Sequence, residues 1–408
     1  MRKVVLVILV DGLRYDYISN KSSPFLSRLV KEGISGKLIP PFTFSLAPTW
    51  FAGLFPENSG YWISPWYSPA TSIWKFFNPF SLLIDNIPVS RKYSNLLGAS
   101  LSKVKETIAL NAPIKIARYF DYPQKIFPWD RDYIQNCVTL FDVLRMNNLN
   151  WLFIGSPSHN VGTLEVYEEF KRSVSNKVSL IFLHFGATDW AGHKFGPTSS
   201  EVFYRLKEID NKISSIVDIL NRIFDDVDLL VFGDHGMVEV KRLIDIESIL
   251  KRESIKLCSD YLFFLGATTA RFWFKGKNSR QKIEEILSSF TNIKILNEAY
   301  LEDIKCKFDH NKYGELICVT KEGTIFSPNF FDGSIAPKGM HGYLPGVKDN
   351  QAAFIISSSY IEKPTVLQKP HDMVDLFPTL LDLLDLSPIP RSNQGETILY
   401  ARKNWNKL

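Results

Sequence analysis

Val231-Phe232-Gly233-Asp234-His235-Gly236-Met237 is the stretch around which the rest of the chain is organised. The residues leading into it, Asp228 to Phe232, form a short apolar run rich in Val and Leu. Such a run reads as a strand buried on both faces. At its end stand a carboxylate and an imidazole with Gly on either side. Ligands of open α/β sheets bind just beyond the carboxyl ends of strands, and glycine there lets backbone turn sharply and approach a ligand closely. Asp beside His at a strand end suits a hard-to-borderline metal ion. Alone, the triplet Asp-His-Gly is a weak signal; three other stretches supply matching partners.

Working outward, Val4 to Val10 is a second buried run and ends in Asp11-Gly12. It is too short for the core of a signal peptide, and no small-residue cleavage site follows it. Val178 to Phe185 is a third, followed by Asp189-Trp190-Ala191-Gly192-His193. Ala352 to Ile356 is a late core strand, preceded by Gly339-Met340-His341-Gly342-Tyr343. Between strands lie helices. Ser23 to Glu32 has Ser at its cap and Pro in its first turn. Ser200 to Phe224 carries Val202, Leu206, Ile209, Ile213, Ile216, Ile219, Leu220 and Ile223 on one face. The stretch ended by Gly53 and Pro56 is helical, with Thr43 just ahead of it, and Met373 to Leu386 is an amphipathic closing helix. This alternation predicts an α/β fold, a mostly parallel central sheet with helices on both faces.

Two segments break the pattern. Residues 61–128 show no clean period and are rich in aromatics, including Trp62, Trp66, Trp74, Phe76, Phe77 and Phe80. They read as an insertion over the site, a lid or a wall; an aromatic surface for a membrane interface is the alternative. Residues 251–337 change character, with strand-like Ala270 to Phe274, Ile293 to Leu296 and Leu316 to Thr320 around a helical Lys282 to Phe290. They read as a small inserted α+β cap, leaving residues 1–250 and 338–408 as the catalytic core.

The chain has 408 residues, of which 45% are hydrophobic, 22% charged and 13% aromatic. The net charge of +5 is not gathered into basic tracts. It slightly favours small anionic substrates and gives no reason to expect nucleic-acid duplex binding. Cys137, Cys258, Cys306 and Cys318 lack metal-type spacing, so a reducing compartment is the simpler reading, with a Cys306–Cys318 bridge as the alternative. With no stretch long and apolar enough to span a bilayer, the expectation is a cytoplasmic protein. Oligomeric state is not legible.

The polar residues at strand ends form one set: Asp11, Thr43, Asp189, His193, Asp234, His235 and His341. Any one of them alone reads as a cap or a loop residue. Together, three carboxylates and three imidazoles suit two divalent ions, zinc first, with manganese or iron able to use the same ligands. Three carboxylates and an alkoxide leave such a centre near neutral, ready for one more anion such as a phosphate ester. Thr43 is a weak nucleophile that metal coordination would activate, and a helix beyond it would favour an anion. His159, His310 and His371 lack this context and read as structural. His184, inside a strand, reads as core packing ahead of a supporting role at the site.

In this order the residues resemble the alkaline phosphatase superfamily, in its nucleotide pyrophosphatase/phosphodiesterase branch. The resemblance is carried by Val10-Asp11-Gly12-Leu13-Arg14, Thr43-Phe44 through Gly53-Leu54-Phe55-Pro56-Glu57, Asp189 to His193, Gly233 to Met237, and His341-Gly342-Tyr343. It implies an alkaline phosphatase-like core. It also implies that the nucleophile is Thr43, ten residues ahead of Gly53, and not Thr49. One metal would be held by Asp11, Thr43, Asp234 and His235, the other by Asp189, His193 and His341. The branch's phosphate-contacting Asn is replaced by Ser64. No Cys-x-Pro-x-Arg stretch marks a formylglycine sulfatase. The expected activity is hydrolysis of phosphodiesters or nucleotide pyrophosphates through a phospho-threonine, on a substrate that is a nucleotide or a lipid head group. Rival readings are a phosphomonoesterase, phosphonate hydrolase or phosphomutase on the same core, and a metal-binding pseudoenzyme with an interaction role.

Overall fold

Strand β1 (Lys3–Val10) is buried along almost its whole length, and its alternation divides it between two cores. Val4, Leu6, Ile8 and Val10 pack into one cluster; Val5, Val7 and Leu9 pack into another on the opposite face. Side chains alternate across a strand, so a strand apolar at every position must be covered on both faces. The helices Pro24–Glu32, Thr163–Ser173 and Ser200–Ile223 cover the first face, and Ala47–Ala52, Leu140–Met146 and Leu376–Leu383 cover the second. The structure, a computed structural model, describes residues 2–72, 112–123, 126–155, 162–332 and 335–399.

The other main strands, in chain order, are β2 (Ile34–Ile39), β3 (Asn150–Ile154), β4 (Val178–Phe185), β5 (Asp226–Phe232), β6 (Tyr261–Leu265), β7 (Thr269–Phe274), β8 (Ile293–Leu296), β9 (Leu316–Thr320) and β10 (Ala352–Ser357). An eight-stranded sheet runs in the order Thr365–Val366, β2, β10, β5, β1, β4, β3, with His371–Asp372 also paired to β2. β1 is parallel to its neighbours β4 and β5, and β3 is parallel to β4. β10 enters antiparallel between β5 and β2. The fold is therefore the expected α/β arrangement, a mostly parallel sheet under two helical layers. Because β1 lies between β4 and β5, the three chain segments leaving the carboxyl ends of these strands converge.

β6, β7, β9 and β8 form a separate antiparallel sheet in that order, with the helix Lys277–Ser288 beside it. Part of what is described of residues 61–128 packs against this sheet, while Tyr61 and Ile126 pack with Tyr133 and Ile134. Trp66–Tyr67 pairs with Phe120–Asp121, and Ala112, Ile116 and Phe120 share a core with β6 and β7. Tyr67 stacks on Trp273 at 5.6 Å. The rest of the segment expected to form a lid or wall, with Trp74, Phe76, Phe77 and Phe80, lies outside the described residues.

Two local expectations are corrected. Ser23 does not cap the helix Pro24–Glu32 with its side chain. Instead Asp210, buried on the long helix Ser200–Ile223, accepts hydrogen bonds from the Phe25 and Leu26 amides at 3.0 and 2.8 Å. A carboxylate brought in by tertiary packing meets the free N–H groups better than the local hydroxyl. The segment from Met373 begins as a 3-10 turn, Met373–Asp375, and its helix Leu376–Leu383 is buried on nearly every face rather than amphipathic. All four cysteines are free, so Cys306 and Cys318 form no bridge. Among the described residues no helix is long and apolar enough to cross a membrane.

Candidate active site and metal centre

Asp11 follows β1, Asp234 and His235 follow β5, and Asp189 and His193 follow β4. The last two, expected at a strand end, stand instead on the helix Ala187–Phe195, where a spacing of four residues is one turn and brings both side chains to one face. His193 Nε2 lies 3.2 Å from Asp189 Oδ1. His341, beyond the short strand Gly339–Met340, brings its Nε2 to 3.9 Å from the same oxygen and stacks its ring on that of His235, centroids 3.5 Å apart. His235 Nε2 is 3.3 Å from Asp11 Oδ1, 3.3 Å from Asp234 Oδ2 and 4.0 Å from Asp189 Oδ1. His235 joins two clusters: Asp11, Asp234 and His235, and Asp189, His235 and His341, each with its donor atoms within 4.8 Å of one another.

The turns that make this possible need glycine. Gly12 has φ of +70°, and its N–H donates to Asp234 Oδ1 at 3.0 Å. A Cβ on Gly236 would sit 2.1 Å from the Asp349 carbonyl oxygen. Arg14 ties the loops together. Its guanidinium donates to the Met237 carbonyl at 2.7 Å and pairs with Asp16 and Asp349. His235 and His193 place Nδ1 2.8 Å from the Gly236 and Gly339 carbonyl oxygens. An N–H donated there leaves Nε2 with its lone pair toward the carboxylates, the tautomer a metal ligand requires.

His184 departs from the expectation. It is not simply a core residue of β4: its Nε2 lies 3.1 Å from Asp11 Oδ2. It fixes one carboxylate oxygen and leaves the other facing the centre. A histidine inside a largely apolar strand was the signal available.

The electrostatics call for a cation. Burial and the neighbouring Asp11 push the Asp234 carboxyl up to about 6. Burial disfavours the charged form of His193, yet Asp189 carries it up to about 9. His235 is raised in the same way, against its burial, by Asp234, Asp11 and Asp189. His341 is held well below the ordinary imidazole range by burial, then by His235 and His193. Protons on these groups compensate for crowded carboxylates. Asp11 Oδ1 and Asp189 Oδ1 are buried and accept no hydrogen bond among the described residues. Orphaned carboxylate oxygens among imidazole nitrogens are the donor set of a borderline divalent ion, and the residues fit a metal.

Thr43 is buried, and the ring of its neighbour Phe44 lies 5.7 Å from that of His341. The Thr43 hydroxyl donates to the Trp62 carbonyl and accepts from the Ser45 amide at 2.9 Å. The helix beyond it, Ala47–Ala52, is short and starts four residues later. The expected help from a helix terminus is therefore replaced by the Ser45 amide. Ser64 follows Trp62 by two residues and precedes a cis bond to Pro65. His310 packs on Trp66, Phe308 and Tyr313, and His371 pairs with Asp375, both away from the cluster; His159 lies outside the described residues. Trp62 gave no signal, since it acts through its backbone.

Residues 5–344 match the family described as Type I phosphodiesterase / nucleotide pyrophosphatase, and the chain belongs to that family. It is accordingly a phosphodiesterase- or pyrophosphatase-type hydrolase, and the groups just described are able to hold its metal. Human ectonucleotide pyrophosphatase/phosphodiesterase family member 5 is 21% identical over 406 residues, spanning 95% of this chain and 76% of the human protein. Mouse bis(5'-adenosyl)-triphosphatase enpp4 is 22% identical over 403 residues, spanning 95% of this chain and 79% of the mouse protein. A solved structure of murine ectonucleotide pyrophosphatase/phosphodiesterase 5, in an inactive form in complex with AMP, superposes with a TM-score of 0.70 at 17% identity. It covers 98% of this chain and 99% of that one, and at this identity the likeness shows the fold.

Proposed function

We propose that the chain hydrolyses phosphodiesters or nucleotide pyrophosphates by attack of Thr43 on phosphorus at a centre of two divalent metal ions. Asp11, Asp234, His235 and Thr43 would hold one ion, and Asp189, His193 and His341 the other. Zinc is the metal the nitrogen and oxygen donors favour, while manganese and iron share these ligands. The observation that carries this reading is the pair of donor clusters meeting at His235, with buried oxygens of Asp11 and Asp189 left unpartnered among the described residues.

Bound there, the ions supply Lewis acidity that makes the Thr43 hydroxyl acidic and balances charge on the leaving oxygen. The chain's own part is orientation and charge. The Ser45 amide, 2.9 Å from Thr43 Oγ1, is placed to stabilise the oxygen once its proton has left. Thr43 Oγ1, its proton released to solvent water, then bonds phosphorus as one ester or anhydride oxygen departs with its electron pair and is protonated by water where its basicity requires, giving a phospho-threonine. Water cleaves that bond and restores the hydroxyl. Ser64, near Trp62, is the candidate contact for a phosphate oxygen.

A diester is favoured over a monoester by the state of the arginines. Arg14 and Arg271 are the buried ones among the described residues. Arg14 is committed to Met237, Asp16 and Asp349, and Arg271 to the Pro65 carbonyl. Arg14 is therefore not spare to neutralise the second charge of a monoester, and Arg271 is enclosed by the rings of Trp62, Phe264 and Trp273. The names of the relatives, a bis(5'-adenosyl)-triphosphatase among them, favour nucleotide substrates. The test compares bis-nitrophenyl phosphate with nitrophenyl phosphate in zinc or manganese, with Thr43→Ala as control. A Thr43-dependent preference for the diester of at least about tenfold, about 1.4 kcal/mol in barrier, is expected. A monoester preference would move the protein to the phosphatase or mutase side.

A further inference from the structure

The turn that carries Thr43 rests on the strap Gly60 to Pro65, and the strap is gripped from the far side by the cap. On the near side the Trp62 carbonyl accepts from the Thr43 hydroxyl and from the amides of Phe44 and Ser45, at 3.0 and 3.2 Å. The two amide bonds do not depend on the Thr43 proton, so this hold persists when that proton leaves. On the far side the Trp62 amide donates to the Tyr313 hydroxyl at 3.1 Å, and that hydroxyl donates to the Gly60 carbonyl at 2.9 Å. Arg271 of β7 donates Nη2 to the Pro65 carbonyl at 2.7 Å. The Cys306 thiol lies 3.7 Å from the carbonyl of Phe42, the residue before Thr43.

Arg271 is the least expected of these. It is fully buried, its Nε and Nη1 have no hydrogen-bond partner among the described residues, and rings of Trp62, Phe264 and Trp273 surround it. Burying a charge against a single carbonyl is costly, and an apolar side chain would fill the same space without that cost. What the guanidinium adds is a charge-assisted bond, stronger and more directional than a neutral one.

We propose that Tyr313 and Arg271 are positioning residues for Thr43: through the strap they set the Trp62 carbonyl, and with it the turn that aims the nucleophile. The cap thereby becomes part of the catalytic device. The inference rests on Thr43 being the nucleophile. In-line attack is sensitive to placement, a misplacement of about 1 Å costing about 100-fold.

The test uses the metal-loaded full chain and bis-nitrophenyl phosphate. Tyr313→Phe keeps the ring against Trp62 and removes the hydroxyl bridge. It should lower kcat about 10- to 100-fold with KM and metal content unchanged. Arg271→Lys should retain more kcat than Arg271→Met, because it keeps a charged donor. Ile283→Ala, buried on the helix Lys277–Ser288 in a packing cluster other than that of Tyr313 and Trp62, controls for loss of cap stability beside Tyr313→Phe and should keep parental kcat. Parental kcat in Tyr313→Phe would overturn the proposal. So would loss of metal in that variant, or an equal fall of kcat in Ile283→Ala. Activity in Thr43→Ala would instead remove the nucleophile assignment. An inactive Thr43→Ala beside a fully active Tyr313→Phe would remove this inference alone.

Discussion

Thr43→Ala should lose at least about 1,000-fold in kcat/KM, about 4 kcal/mol of barrier, while keeping its metal and its fold. The expected size follows from the role proposed for the hydroxyl, that of the atom that bonds phosphorus, and among the described residues no neighbouring hydroxyl takes its hydrogen-bonded place between Trp62 and Ser45. The fold should survive because the backbone around it is held separately. The Phe44 and Ser45 amides still donate to the Trp62 carbonyl, so deleting the side chain leaves no amide unpaired. The stability cost is that of one hydrogen bond, about 1 kcal/mol. Metal analysis, thermal unfolding and diester turnover on the same preparation check all three parts. Turnover within tenfold of the parent would remove Thr43 from the mechanism.

Asp234→Asn should empty the metal site and abolish activity together. The substitution is nearly isosteric. An amide oxygen can still accept from the Gly12 and His235 amides, which Asp234 Oδ1 serves now at 3.0 Å each, so the loops should keep their shape. What goes is a negative charge in a buried centre, from the oxygen 3.3 Å from His235 Nε2. Residues that merely orient a ligand already cost about 10- to 100-fold in metal affinity when changed, so a charged carboxylate ligand, unlike a neutral hydroxyl, should cost more than about 100-fold. Metal content after dialysis and kcat/KM as a function of added zinc are the measurements. Full metal occupancy in this variant would refute Asp234 as a ligand.

Much of the architecture is legible in the sequence because burial on two faces leaves a plain mark. The apolar runs that form β1, β4 and β5 could hardly be anything but central strands, and the polar residues that follow them have to emerge at one edge of the sheet. That logic brings Asp11, Asp189, His193, Asp234, His235 and His341 to one place. It does not reveal that Asp189 and His193 stand on a helix, since four residues fit a turn at a strand end as well as one helical turn. Nor can it orient β10, because a strand apolar at every position looks the same parallel or antiparallel. His184 escapes it because a histidine inside a strand carries no mark of which carboxylate it will meet. Asp210 as a cap and the Trp62 carbonyl as a hub are invisible for a deeper reason. The first is made by packing between distant helices, and the second uses a backbone atom that every residue possesses. The bonds from Tyr313 and Arg271 to the strap depend on long-range packing of β7 and the turn at Tyr313 against residues 60–65, which no local pattern encodes.

With Thr43 as nucleophile, hydrolysis is a double displacement at phosphorus: the threonine first takes the phosphoryl group and water then removes it. Each in-line step inverts the phosphorus centre, so two steps restore it. The most direct measurement is the stereochemical course with a chiral phosphorothioate diester hydrolysed in oxygen-18 water. Net retention of configuration is the predicted result. Net inversion would mean that water attacks phosphorus directly, and would contradict the role of Thr43 as nucleophile.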